Sequence, residues 1–100
     1  MAVLATVSGR EVYGLELLEL LRADGLTPLS DPSVYGVLRR LEMDGLVTAR
    51  LASSDRGPAR KYYTITAEGK GDLSAAEAEW ARLTGAITRI LQARMRSENE

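Results

Sequence analysis

Hydrophobic and polar positions change their period several times along this chain, and each change marks an element. Val3, Leu4 and Val7 allow a short first helix. Ser8-Gly9-Arg10-Glu11 has the form of a capping box, in which a hydroxyl and a carboxylate satisfy the backbone N–H groups that open a helix, so a second helix is expected to begin there. Val12, Leu15, Leu18 and Leu21 recur at helical spacing, with Leu17 widening the stripe, until Asp24-Gly25 offers the left-handed residue that ends helices. A third helix is predicted over 32–44: Asp31 can cap it, Pro32 suits its first turn, Val34, Leu38 and Leu41 form its apolar stripe, and Gly45 stops it.

The period then drops to two. Val47, Ala49 and Leu51 alternate with Thr48 and Arg50, and Tyr62 to Thr66 alternate likewise, which predicts two half-buried strands. On the second, Tyr63 and Ile65 share the inward parity. Ser53-Ser54-Asp55-Arg56-Gly57-Pro58 is turn-rich and predicts an exposed hairpin loop between them. Thr66 can cap a last helix running from about Ala67 to Met95, with 96–100 frayed. In it Leu73, Ala76, Trp80, Leu83, Ile87 and Ile90 are spaced three, four, three, four, three, a heptad seam suited to packing along a partner helix.

The order ααα-ββ-α has few compact solutions, and the winged helix-turn-helix is the evident one. The expected fold is therefore mainly α with a small β-hairpin. Residues 1–66 would form the winged helix and 67–95 a C-terminal dimerisation helix of the same domain. In such a fold the 32–44 helix enters the major groove of a duplex, and the wing, 52–61, grips the backbone or minor groove.

Charge sharpens this picture. The 100 residues carry a net charge of −1, but 39–61 hold six basic and three acidic side chains, the only positive stretch. Arg39 and Arg40 lie off the apolar stripe of the third helix, and Ser33 and Tyr35 lie in its first turn, able to bond phosphate or bases, with Ser30 just before it. Arg56, Arg60 and Lys61 sit on the wing. Each has a plainer reading: the arginines as a solvated helix face, Tyr35 as packed against the hairpin, the wing cations as a soluble sheet edge.

The chain has no cysteine and no histidine, which removes disulfides, thiolate and imidazole metal sites and the usual nucleophilic triads; neither an enzyme nor a cofactor is expected. Gly69-Lys70-Gly71 lacks the spacing of a phosphate loop. No apolar run approaches the roughly 20 residues that span a bilayer, and the first residues lack a secretory pattern, so the expected location is the cytoplasm.

Three stretches resemble the PadR-like transcriptional regulators over nearly the whole chain. Tyr13-Gly14-Leu15-Glu16-Leu17 is similar to that family's second-helix motif. Leu29 to Tyr35 and Leu38 to Val47 are similar to its recognition helix and exit, and Gly57 to Gly69 to its wing and the start of its last helix. Leu15 and Gly36 stand where the family commonly has tyrosine and proline. The resemblance implies a homodimer that binds a pseudo-palindromic operator in double-stranded DNA and regulates transcription, as a repressor in the expected case. It also implies that Trp80 either fills the dimer seam or, paired across it, sandwiches a small aromatic effector. The competing expectation is a winged helix that uses the same face to hold another protein and never touches DNA.

Overall fold

The structure, a computed structural model, describes residues 1–26, 30–54 and 57–99, without the side chains of Asp31 and Ser54. Its elements run α1 (Ala2–Gly9), β1 (Val12–Tyr13), α2 (Gly14–Ala23), α3 (Asp31–Met43), β2 (Val47–Ser54), β3 (Gly57–Ile65) and α4 (Ala67–Glu98). The three strands form one antiparallel sheet in the order β1-β3-β2. Four helices and this small sheet make the winged-helix architecture that the periodicities predict. Among the described residues no helix is long and apolar enough to cross a membrane.

The start of the chain departs from the sequence reading. Ser8 does not cap α2; it lies inside α1, where its hydroxyl donates to the Ala5 carbonyl at 2.7 Å. Glu11 instead accepts from Arg50 Nε at 2.8 Å, and Val12 and Tyr13 pair with Tyr63 and Tyr62. The physical reason is burial: Val12 is completely enclosed, and the extended backbone that places it in the sheet is incompatible with a helical turn at the same residues. The second helix therefore starts only at Gly14, with no side-chain cap.

The predicted stops hold. Gly25 and Gly45 have φ of +108° and +76°, and Leu26 N–H and Leu46 N–H reach back to the carbonyls of Leu21 and Leu41 at 3.0 and 2.9 Å, closing α2 and α3 as Schellman-type ends. The α3 cap is Ser30 rather than Asp31: Ser30 Oγ accepts the Ser33 N–H at 3.3 Å, and the helix proper begins one residue earlier than predicted. The hairpin is also longer than its composition suggests. Ser53, Ser54, Gly57 and Pro58 belong to the strands, with a register break between Ala52 and Ser54; residues 55 and 56 of the predicted loop lie outside the described residues. Thr66 caps α4 as predicted, its Oγ1 accepting the Gly69 N–H at 3.0 Å. The helix then continues through Arg96, Ser97 and Glu98, past the expected fraying point, where Arg94 pairs with Glu98 one turn on at 3.1 Å.

The core draws Val3, Leu4 and Val7 from α1, Leu17, Leu18 and Leu21 from α2, Val34 and Leu38 from α3, and Val12, Val47 and Tyr63 from the sheet. From α4 it takes Leu73 alone. No polar or charged side chain is buried among the described residues. At 32 residues α4 is about 48 Å long at 1.5 Å per residue, and most of it extends beyond the body.

Candidate functional site

On α3 the stripe that faces the core is narrow. Val34 and Leu38 are enclosed and Leu41 half-buried, which leaves Ser33, Tyr35, Val37, Arg39 and Arg40 on the outer face. Its first turn is ordered by the Ser30 cap and by a 2.9 Å hydrogen bond between the Ser30 and Ser33 hydroxyls. Tyr35 is both packed and open: its ring lies over Gly14 at the start of α2, where a Cβ would stand 2.9 Å from the ring Cζ, yet the residue is 43% exposed. The start of the second helix supports this ring, and Tyr35 shares a cleft with Arg60, Lys61 and Tyr63 of the hairpin.

The basic residues are not equivalent. Arg40 Nε bonds the Asp44 carboxylate at 3.1 Å along the helix, whereas Arg39 makes no ion pair among the described residues. Lys61, on β3, donates to Glu42 Oε1 at 2.9 Å and so ties the wing to α3; this carboxylate raises the Lys61 ammonium above its ordinary pKa. Arg60 is the next residue on the strand, and strand parity sends it to the other face, where its guanidinium stands 4.6 Å from the Tyr13 ring centroid. Beyond the end of β1, both cations border a cleft of about 370 Å³ that is also lined by Tyr13, Gly14, Leu15, Tyr35 and Tyr63. Arg56 lies outside the described residues.

Two features escaped the sequence reading. The outer face of the sheet carries an array in which Arg50 stands 5.2 Å over Tyr62, Tyr62 meets Tyr13 edge-on at 5.6 Å, and Arg50 forks onto Glu11. That hydrogen-bonded guanidinium holds the Glu11 carboxyl below the usual carboxylate range. The alternation of β2 and β3 places Arg50 opposite Tyr62, so this half of the array was deducible from a hairpin register; the partnership with Glu11, 39 residues away, was not. The second feature is Gly14, whose role is visible only once Tyr35 lies on it.

The apolar face of α4 lies apart from the wing. Trp80, Leu83, Ile87 and Ile90 are exposed by 57, 43, 49 and 67%, and Leu91 and Met95 prolong the face beyond the six residues of the predicted seam. Leu91 lies four residues after Ile87 and Met95 four after Leu91, the helical spacing by which the sequence already marks them. Leu73 does not belong to this surface: it is enclosed in the core of its own chain because α4 still lies against the body at that turn. Ala76 is half-buried and, with Met1, Glu79, Trp80 and Leu83, lines an apolar recess of about 250 Å³.

Comparison with known proteins agrees with this arrangement. A PadR-like transcriptional regulator from Bacillus cereus superposes with a TM-score of 0.81 at 36% identity, covering 90% of this chain and 87% of that one. A PadR family transcription regulator from Clostridium difficile gives 0.82 at 25% identity over 90% and 94%. Bacillus subtilis PadR, solved in complex with operator DNA, shares the fold at a TM-score of 0.66 and 24% identity, over 74% of this chain and 43% of that one. Residues 3–75 match the model of the transcriptional regulator PadR-like family. The capped α3, the wing beside it and the long α4 are thus those of a transcriptional regulator and not of an enzyme, and the chain belongs to the PadR-like family.

Proposed function

We propose that this chain is a sequence-specific DNA-binding repressor that acts in the cytoplasm as a homodimer. The observation that carries the reading is the outer face of α3, which presents Ser33, Tyr35, Arg39 and Arg40 away from the core and beside a wing that bears Arg60 and Lys61. An α-helix fits the major groove, its side chains reach base edges, and the wing cations reach phosphates. Ser30 and Arg56 complete the proposed contact set. Trp80, Leu83, Ile87 and Ile90, with Ala76 at the edge, form the proposed dimer face, since a row of exposed apolar side chains on one helix is relieved by a second copy. A two-fold pair of α3 helices reads half-sites about 34 Å apart, one duplex turn.

Selection of bound sequences from a random duplex library tests this directly. An inverted repeat is expected, bound less tightly as salt rises because phosphate contacts release counterions. A competing reading, a winged helix that holds another protein, draws on the ion pairs that occupy Arg40 and Lys61. It requires that no duplex bind even at low salt.

In the dimer the recess at Trp80 would gain a second wall, which suits a flat aromatic effector. Trp80 is the only tryptophan, so its emission reports the site. Quenching that saturates with a planar aromatic ligand supports the assignment, and emission indifferent to a panel of such ligands removes it.

A further inference from the structure

The exit of α3 and the start of α4 meet in a joint built from Gly45, Leu46, Thr66 and Gly69. The Thr66 N–H donates to the Leu46 carbonyl at 3.0 Å, and Thr66 Oγ1 donates to the Gly45 carbonyl at 2.7 Å while accepting the Gly69 N–H. Gly69 is buried against the same Leu46 carbonyl. A Cβ at this position would press into that oxygen and stand 2.7 Å from Ile65 Cγ1. Gly45 turns the chain with φ of +76°, and Leu73, one turn further along α4, is held in the core. One hydroxyl thus both caps α4 and grips the turn that closes α3, and a missing side chain lets the two backbones touch.

We infer that Thr66 and Gly69 are positioning residues that set the angle between α3 and α4, and through it the half-site spacing that the protein accepts. The inference rests on the homodimer proposed above, in which the α4 pair is the frame and each α3 is an arm. The lever is long. With 13 residues α3 is about 20 Å from end to end, so a displacement of about 1 Å at the joint grows to several ångströms at Ser33. That is comparable with the ~3.4 Å rise of one base pair.

The chain has no cysteine, so a spin label on Val37→Cys, exposed on α3, reports the distance between the two α3 helices in the DNA-free dimer. One narrow distance is expected in the parent. Gly69→Ala is expected to shift its mean by about one base-pair rise, ~3.4 Å, and to move the preferred spacer of the selected operator by a base pair, with the dimer intact. If that variant does not fold, Thr66→Val, which removes the hydroxyl without adding bulk, is expected to broaden the distribution, and Thr66→Ser to restore it. Unchanged distances and spacer preference in a dimeric Gly69→Ala or Thr66→Val overturn the inference alone. A parent that gives no distance between labels overturns the dimer and the inference with it.

Discussion

Two regions of this chain are comparably rich in aliphatic side chains and dispose of them in opposite ways. In the body, from α1 to β3, Val7, Val12, Leu17, Leu18, Val34, Leu38 and Val47 are each exposed by 2% or less, and no polar side chain is shut in with them. Beyond Leu73, α4 buries nothing, and its Trp80, Leu83, Ile87, Ile90, Leu91 and Met95 stand in solvent at 43% or more. The contrast teaches that the apolar pattern of a helix states how much surface must be covered and not which chain covers it. α1 is short and meets α2, α3 and the sheet, so its pattern is satisfied internally; α4 outruns every element that could shelter it.

The contrast can be broken most severely at Leu83. Leu83→Asp places a carboxylate without a partner in the proposed dimer face of each copy, and association is expected to weaken by about 1,000-fold or more, ~4 kcal/mol. Light scattering at micromolar protein would show a folded monomer, and a persistent dimer would refute the seam. Leu17→Ala attacks the other region: the cavity left at a fully enclosed side chain is expected to cost about 3 kcal/mol in chemical unfolding. A change well under 1 kcal/mol would mean that the body is looser than its burial implies.

Arg40→Ala leaves both apolar regions alone and asks what the outer face of α3 does. A loss of about 1–2 kcal/mol in duplex affinity is expected, spread over all sequences if the guanidinium meets phosphate and focused on one base position if it meets a guanine. Unchanged binding isotherms would remove the residue from the contact set.

The smallest effect belongs to the outer face of the sheet. Because Arg50 lowers the Glu11 pKa in the folded state, the stabilisation from this pair is present above the ordinary carboxylate value of ~4.3 and is lost as pH falls through the lowered one. Thermal melts of the parent and Glu11→Gln should therefore differ slightly near neutral pH and converge in acid, below the lowered value. The pair is exposed, so the difference is expected to be small; a gap that persists in acid would assign it to something other than the charge.

What could be read in the sequence was what local spacing decides. The outward face of α3, the Thr66 cap, the inward parity of Tyr63 and the apolar face of α4 each follow from residues within a few positions of one another. Apart from the choice of Ser30 over Asp31 as a cap and the extra turn at the end of α4, the errors fall where distant residues compete. Ser8 and Glu11 have the spacing of a cap, but Val12 gains more from burial beside Tyr63, and a two-residue strand exists only through that pairing. Leu73 fits the heptad, but the body reaches just far enough along α4 to claim it. Arg60 and Lys61 are neighbours in sequence on opposite faces of β3, as strand geometry requires, and only the fold shows which of them pairs with an acid of α3.

For the proposed sequence-specific regulator, the acids that hold Arg40 and Lys61 bear on how it searches a chromosome. Asp44 and Glu42 offset part of each cation's charge, so in the proposed complex a phosphate that meets Arg40 or Lys61 competes with a carboxylate of the same chain, and the hold on arbitrary sequence would be the weaker for it. Short dwell times on the many wrong addresses leave more molecules free to find the right one.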